Sequence, residues 1–397
     1  MPRNEPPEDP AAHPSAHPPA PLSGLLIADF SRVLAGPYAT MLLADLGADV
    51  VKVESPRGDE TRSWTPPERD GTSTYYLAIN RGKRSLVLDL ADEHDQELAH
   101  ELARRADVLI ENFRPGGLAK YGLDADSARA LNPGLVYASI SGFGSGQGAH
   151  VPGYDLVVQA VAGLMSLTGE PDGPAYRSGI SVFDLMAGNH AAIGILAALR
   201  HREATGEGQH IEINLLSSAL AGMVNHSSAH VAGGVVPFRM GNAHPSVCPY
   251  EPIPTADRDL VVAAANDGQF RSLCQVLGIP ELADDPRFAR NADRTAHRSE
   301  LRPLLADALR ARTADEWFEE LTRAGVPCGP INTVDEGFAT AERFGLDPIA
   351  HTGDGEDAVP TTRHPIGLSR TPARHDLPPP GLDEHGQDLR RWLGEER

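Results

Sequence analysis

Short apolar runs separated by amphipathic stretches fill the first 140 residues. Leu25–Phe30 (LLIADF) reads as a buried strand, Ala35-Gly36-Pro37 as a turn with Pro at the first helical position, and Tyr38–Leu46 as a helix. Gly47 ends that helix, and Ala48–Val53 forms a second strand with Glu54 at its end. Strand Ser85–Leu90, helix Gln96–Arg105, strand Val108–Glu111, the break Phe113–Gly117 and strand Leu135–Ser139 continue the alternation. Strands that alternate with helices predict a mostly parallel α/β sheet.

Further along, a helix is expected over Leu156–Ser166, then a long one behind Asp184, from Leu185 to Arg200, whose only polar residues before its basic end are Asn189 and His190. A helix apolar on most sides is a buried one, and its many Ala and Gly residues allow neighbours to approach closely. A strand follows in TGEGQHIEINLL and a helix in Ser217–His226. Composition then changes. A β-like run Leu260–Ala264 and short helices carrying Phe270, Leu273, Trp317 and Leu321 describe a smaller α+β domain, followed by a loop-rich tail and a last helix Gln387–Leu393. The chain contains no internal repeat.

Composition narrows the function. The 397 residues suffice for two domains, and 41% hydrophobic residues is ordinary for a globular protein. A net charge of -20 repels polyanions, which argues against nucleic acid or an anionic membrane as the main partner. Cys248, Cys274 and Cys328 lie far apart with no CxxC, so neither a disulfide framework nor a metal site is expected, and a reducing cytoplasm fits. No apolar run of about 18 residues is free of polar interruption, which argues against a spanning helix. The first 20 residues, MPRNEPPEDPAAHPSAHPPA, lack an apolar signal core and read as a Pro-rich disordered tail in which His13 and His17 are solvated spacers.

Candidate chemistry centres on Asp184. As the residue before an apolar helix it is either a helix cap, accepting a free backbone N–H, or a nucleophile that the same N–H groups and the positive helix end hold in place. Asp155 is a second carboxylate at a helix start. The first βα turn contains only Gly36, so the glycine fingerprint of a dinucleotide site, with Glu54 on a ribose, is missing. GFGSGQG at Gly142–Gly148 precedes no helix and reads as a flexible loop. The basic turn Arg81, Lys83, Arg84 is either a solvated loop or an anchor for a phosphate-bearing ligand.

These stretches together resemble the class III CoA-transferase (CaiB/BaiF) family from about Leu22 to Leu393. The carriers are DFSRVLAGPYAT from Asp29, LADLGADVVKVE ending at Glu54, GDETR from Gly58, NRGKRSLVLDL from Asn80, ADVLIENFRPG from Ala106, NPGLVYASISGFG from Asn132, PGYDLVVQAVAGLMSLTG from Pro152, FDLMAGNHAAIGILAAL from Phe183, TGEGQHIEINL from Thr205, GNAHPSVCPY from Gly241 and GVPCGPI from Gly325. The loop Gly144–His150 lacks the Pro often present at that place in the family. The resemblance implies a Rossmann-like large α/β domain with a parallel-rich sheet at 21–225, a smaller α+β domain at 226–330, and a C-terminal segment 331–397 returning to the large domain. It also implies an interlocked homodimer.

The resemblance further implies the site. Asp184 takes the position of the nucleophilic carboxylate. Arg32, Val33 and Ala35 in the first loop, Arg57 near the adenosine, Lys83 near the phosphates, Asn112, Phe113 and Lys120 take those of the CoA contacts, and Gly241-Asn242 lies in a covering loop. The expected activity is transfer of CoA from an acyl-CoA to a carboxylic acid through acyl-aspartyl anhydride and aspartyl-CoA thioester states on Asp184, with coenzyme A as a substrate and no tightly bound cofactor or metal. Related α-methylacyl-CoA racemases carry a His where this chain has Tyr154, a poor base near neutrality, which disfavours racemisation or isomerisation. His190 is either a substitute base or a satisfied structural histidine. A non-catalytic acyl-CoA-binding protein is the remaining alternative, opposed by Asp184 and the basic turn.

Overall fold

The computed structural model describes residues 20–355 and 358–395, so the expected N-terminal tail, with His13 and His17, lies outside the described residues except for Ala20. Two compact units divide the chain: one holds the residues up to Ala162, Gly179–Ser228 and Asp347 onwards, the other Gly163–Ser178 and Ala229–Leu346.

The first half of the chain runs β1 (Leu26–Asp29), α1 (Ala35–Asp45), β2 (Asp49–Glu54), a small hairpin β3 (Glu68–Arg69) and β4 (Thr72–Ser73), α2 (Thr74–Ile79), β5 (Lys83–Val87), α3 (Glu93–Arg105), β6 (Val108–Glu111), α4 (Ala125–Leu131), β7 (Val136–Ser141), α5 (Asp155–Val161), α6 (Val182–Thr205), β8 (His210–Asn214), α7 (Leu215–Gly222) and α8 (Val224–Val231). Six of these strands pair in parallel in the order β5-β2-β1-β6-β7-β8. The order reverses between β1 and β6, the place where doubly wound sheets open a crevice at the carboxyl ends of their strands.

Strand periodicity splits the apolar side chains between two faces. Ala28, Val51, Leu86, Leu109 and Tyr137 join Leu98 and Leu102 of α3 and Ala128 of α4 in one core. The last helix, α14 (Gly386–Gly394), completes it with Leu389 and Leu393, so the C-terminal segment belongs to this unit. On the opposite face α1 and α6 pack against each other and the sheet. In α6 the buried stripe is Ala187, Ala191, Ile195, Ala198 and Leu199.

Several expected elements change. Helix α6 extends to 24 residues and reaches a mean hydropathy of 1.5, so by length and composition it is long and apolar enough to cross a membrane, contrary to expectation. Its packing against α1, α7, β7 and β8 identifies it as a core helix of this unit. It is not buried on most sides, since Ile193 is 64% exposed and Leu196 is also exposed. The helix expected over 156–166 stops at Val161, because Gly163 adopts φ 96°, and only a short 3-10 turn follows. The one expected over 217–226 becomes α7 and α8, broken where Val224 takes φ 30°.

The second unit is an antiparallel sheet, order β11-β10-β9, of β9 (Tyr250–Pro254), β10 (Asp259–Ala263) and β11 (Cys328–Pro330). Helices α9 (Asp267–Val276), α10 (Asn291–Ala296), α11 (Arg298–Leu309) and α12 (Ala314–Arg323) bury Phe270, Leu273, Leu305, Trp317 and Leu321 with Ile253 and Val262. The chain leaves this unit after Leu346 rather than at 330, because α13 (Val334–Arg343) is tied to it by the Arg258–Glu336 ion pair at 3.3 Å. The unit also takes in Gly163–Ser178. On returning to the first unit the chain forms a hairpin of β12 (Ile349–Thr352) and β13 (Val359–Thr362). His364 then docks on Asp45 of α1, Nδ1 to Oδ2 3.0 Å.

Candidate active site

The loop after β1 and the turn after β6 lie side by side at the sheet's reversal point. Asn112 joins them: its Oδ1 accepts Arg32 N–H at 2.8 Å, and its Nδ2 donates to Arg32 O at 2.6 Å. Arg32 also lies 5.2 Å from the centre of the Phe113 ring and pairs with Glu60 at 3.2 Å. Phe113 N–H donates to Glu111 at 2.7 Å, and burial pushes the Glu111 carboxyl up to about 7. Val33 stands at φ 67°, a left-handed conformation that costs a β-branched residue about 1–2 kcal/mol. The expected CoA contacts Arg32, Val33, Asn112 and Phe113 are thus brought together. Ala35 begins α1 on the same loop.

Asp184 approaches this loop through its helix. Gly188, one turn further along α6, faces Ala35 so closely that an added Cβ would lie 2.6 Å from the Ala35 carbonyl oxygen. Gly188→Val is therefore expected to lower stability by about 1–3 kcal/mol through overpacking, read as a lower melting temperature, and to reduce turnover by moving Asp184.

The carboxylate at this helix start does not cap it. Ser181 is the N-cap residue and Asp184 is the third residue of α6. Asp155, the first residue of α5, sends its side chain across instead, and its Oδ1 accepts Phe183 N–H at 2.7 Å and Asp184 N–H at 3.1 Å. Gln159 donates to its other oxygen and so fixes the carboxylate from one turn along α5. Val182 N–H donates to Ile180 O and Leu185 N–H to Ser181 O, so the first-turn donors expected to support an Asp184 anion are already occupied. The Asp184 carboxylate, half-buried, receives no hydrogen bond from the described residues. Burial, and next the Asp155 charge, push its carboxyl up to about 7. Tyr75, whose phenol feels the Asp184 charge, meets Trp64 edge-on with ring centres 5.1 Å apart. Burial, followed by the Asp184 charge, pushes the Tyr75 phenol up to about 12, so it stays protonated.

Lys83 requires a correction. It is 1% exposed, and its Nζ donates to Asp29 at 3.0 Å, Pro37 O at 2.9 Å and Asn80 at 3.0 Å, which uses all three ammonium protons and leaves none for a phosphate. Its neighbours in the basic turn are structural too: Arg81 pairs with buried Asp45 at 2.7 Å, and Arg84 with Asp49. Glu54 accepts from Arg62 at 2.7 and 2.8 Å and from Asp59 N–H, so it is not free for a ribose.

Other positions remain open. Arg57 is exposed on the turn after β2, and Lys120 is exposed on a short 3-10 turn with Nζ 4.5 Å from the centre of the Tyr121 ring. Tyr154 precedes α5 and is 56% exposed. His190 bonds Ser218 at 2.9 Å and lies on the outer side of α6, satisfied but not in the core. Gly241 and Asn242 belong to the second unit, where Gly241 N–H donates to Gly169 O at 3.0 Å. The loop expected to be flexible is pinched at its neck, since Gly142 and Gly153 meet backbone to backbone in a contact that leaves no room for a Cβ.

Sequence reasoning assigned no role to Lys52, Asp59 or Tyr75 and saw in Asp155 only a second carboxylate at a helix start. Lys52 carried a signal, as a lone charge inside the apolar run VVKVE, and Asp59 and Arg62 sit in the GDETR stretch.

Comparison with known proteins places nearly the whole chain in one family. Residues 22–386 match the CoA-transferase family III. The chain is 46% identical over 375 residues to a succinate–glutarate CoA-transferase of Agrobacterium fabrum, covering 92% of this chain and 94% of that one. It is 41% identical to an acetyl-CoA:oxalate CoA-transferase of Acetobacter aceti, covering 94% and 95%. The crystal structure of a CaiB/BaiF family protein from Brucella suis superposes with a TM-score of 0.85 at 43% identity, covering 95% of this chain and all of that one. By the family match over residues 22–386, these identities and this superposition, the chain belongs to the CoA-transferase family III.

Proposed function

We propose that the protein moves CoA from an acyl-CoA to a carboxylic acid by covalent catalysis on Asp184, and that its acids are short dicarboxylates such as succinate and glutarate. The carrying observation is a half-buried carboxylate in the first turn of α6 that no described residue hydrogen-bonds, beside Asp155, in surroundings that push it up to about 7. Such a group is a stronger nucleophile when ionised than an ordinary carboxylate, and about half of it is ionised at neutral pH. The dicarboxylate preference rests on the activities named for the relatives.

In the first half-reaction an Asp184 oxygen attacks the thioester carbonyl, giving an acyl-aspartyl anhydride and CoA thiolate. The thiolate then attacks the Asp184 carbonyl, leaving aspartyl-CoA and releasing the donor acid with the oxygen that came from Asp184. An acceptor carboxylate attacks aspartyl-CoA, and the freed thiolate takes the acyl group of the new anhydride, which returns Asp184 with one acceptor oxygen. Asp155 keeps the helix start rigid and its charge keeps Asp184 basic. The partial burial of Asp184 limits hydrolysis of the activated states. Nothing favours racemisation, since the tyrosine in place of the racemase histidine is more than half exposed. Transfer from succinyl-CoA to glutarate, measured as glutaryl-CoA formation, tests the reading; no transfer to any of a series of mono- and dicarboxylic acids would contradict it.

The working form is a homodimer. Helices α5, α6 and α7 pack together within the first unit, yet Leu156, Val157, Val161, Ile193, Leu196 and Leu220 are all exposed on them. Apolar surface of this kind marks a protein interface, and a second copy is the partner that the family resemblance implies. Sedimentation at micromolar concentration should give twice the 42.3 kDa chain mass, and Ile193→Asp should shift the protein towards monomer. A wild-type monomer would contradict this.

A further inference from the structure

The loop after β1 is held by an unusual amount of buried charge. Ser31 N–H donates to Asp29 at 3.0 Å, and Ser31 O accepts from Lys52 Nζ at 3.2 Å. Both backbone groups of Arg32 are taken by the Asn112 amide. Val33 N–H points at the Asp59 carboxylate, 3.3 and 3.4 Å from its two oxygens. Five successive backbone groups are therefore held by side chains rather than by secondary structure.

Lys52 and Asp59 join two of these holds. Their ion pair is 2.9 Å long, and both side chains are 0% exposed. Asp59 is itself fixed by Thr61, through N–H at 3.0 Å and the hydroxyl at 2.8 Å, while its own N–H donates to Glu54 at 2.9 Å. Glu54 is gripped by Arg62, which lies 3.9 Å from the centre of the Tyr76 ring. Burial opposes charge on both members, but each sees the other closely enough that the lysine is raised and the aspartate lowered, so both stay ionised.

A fully buried ion pair is weak evidence for stability, because desolvation consumes most of the attraction. A strained residue, by contrast, persists only where its surroundings over-determine it, and such residues gather at functional sites. Here both features meet on one loop: the pair holds a left-handed valine at the reversal point of the sheet, beside the helix that carries Asp184.

We propose that Lys52 and Asp59 are positioning residues that preset the Ser31–Val33 loop to receive the acyl-CoA donor. The inference rests on the CoA-transferase reading and adds that the donor side of the site is built before the ligand arrives. The loop's contribution then appears in the donor's KM and in CoA affinity, and not in the acceptor acid's KM.

The test uses the neutral double variant Lys52→Met/Asp59→Asn, which removes both charges and leaves neither buried alone. With succinyl-CoA and glutarate as substrates, its KM for succinyl-CoA and its Kd for CoA by calorimetry should rise at least about tenfold. The KM for glutarate should stay within about twofold. An unchanged donor KM and CoA affinity, or equal losses on both substrates, would overturn the proposal. Hydrogen exchange on the ligand-free wild-type protein needs no variant. The amides of Ser31, Arg32 and Val33 should be protected before CoA is added, and free exchange that slows only with CoA would show that the ligand orders the loop. Wild-type protein that binds no CoA would count against the transferase reading, while the exchange measurement would still decide whether the loop is preset.

Discussion

Asp184→Asn should abolish CoA transfer, by at least about a thousandfold in kcat, and at the same time stabilise the protein at alkaline pH. The first effect follows from losing the nucleophile. The second follows from the sign of the pKa shift. A carboxyl raised from 3.8 to about 7 keeps its proton in the folded state at pH values where the unfolded chain has lost it. Wild-type stability therefore falls as pH rises from about 4 to about 7, and the loss is complete above 7. At about 1.36 kcal/mol for each pKa unit the cost is at most about 4 kcal/mol, and access of water to the site reduces it. The asparagine carries no charge, so its melting temperature should exceed that of the wild type by more at pH 8 than at pH 5. An equal difference at both pH values would show that Asp184 is not held near 7. Wild-type kcat/KM should rise with pH through a midpoint near 7 as the attacking form accumulates.

Asp155→Ala should have the next largest effect. It removes the acceptor for Phe183 N–H and Asp184 N–H, which costs about 1–2 kcal/mol as the loss of a helix cap. With the start of α6 no longer held, Asp184 is displaced from its attacking position, and kcat should fall about a hundredfold. Asp155→Asn separates the two roles of this residue. Its amide oxygen can still accept from the helix start, so stability changes little, but the charge that helps to raise Asp184 is gone. The acid limb of its kcat/KM profile should lie below that of the wild type, though not as low as an ordinary aspartate, because burial is the larger cause of the shift. An unmoved acid limb in Asp155→Asn, with full activity in Asp155→Ala, would show that Asp155 neither places nor tunes Asp184.

Legibility in the sequence followed the range of the interactions. The parallel sheet was readable because each strand and helix announces itself within about ten residues, as with Val108–Glu111, whose bounds agree with the structure. Asp184 was locatable from the motifs around it, but its local pattern favoured capping, and the structure assigns the cap to Asp155, 29 positions away along the chain. No window-based reading carries that information. Lys83 was misread for a related reason: a basic turn in a chain of net charge -20 looks like a ligand site, whereas its partner Asp29 lies 54 positions earlier, at the end of β1. The inclusion of Gly163–Ser178 in the second unit was likewise invisible, because membership there depends on contacts such as Gly241 with Gly169. The left-handed valine at position 33 has no signature at all, since a β-branched residue is among the last expected at positive φ.

The pairing of a capping carboxylate with a reactive one divides a task that the sequence reading had given to a single residue. Asp155 satisfies the helix, so Asp184 keeps both oxygens for chemistry. The positive end of α6 still favours negative charge near it, and two carboxylates share that end, one fixed by hydrogen bonds and the other left basic.

The central claim, that an Asp184 oxygen enters and leaves during turnover, is tested most directly with an acceptor acid labelled with ¹⁸O in its carboxylates. After turnover with unlabelled acyl-CoA in ordinary water, the peptide containing Asp184 should gain about 2 Da, localised to that side chain by fragmentation, because the anhydride step returns the aspartate with one acceptor oxygen. Transfer that proceeds with no label on Asp184 would contradict the account.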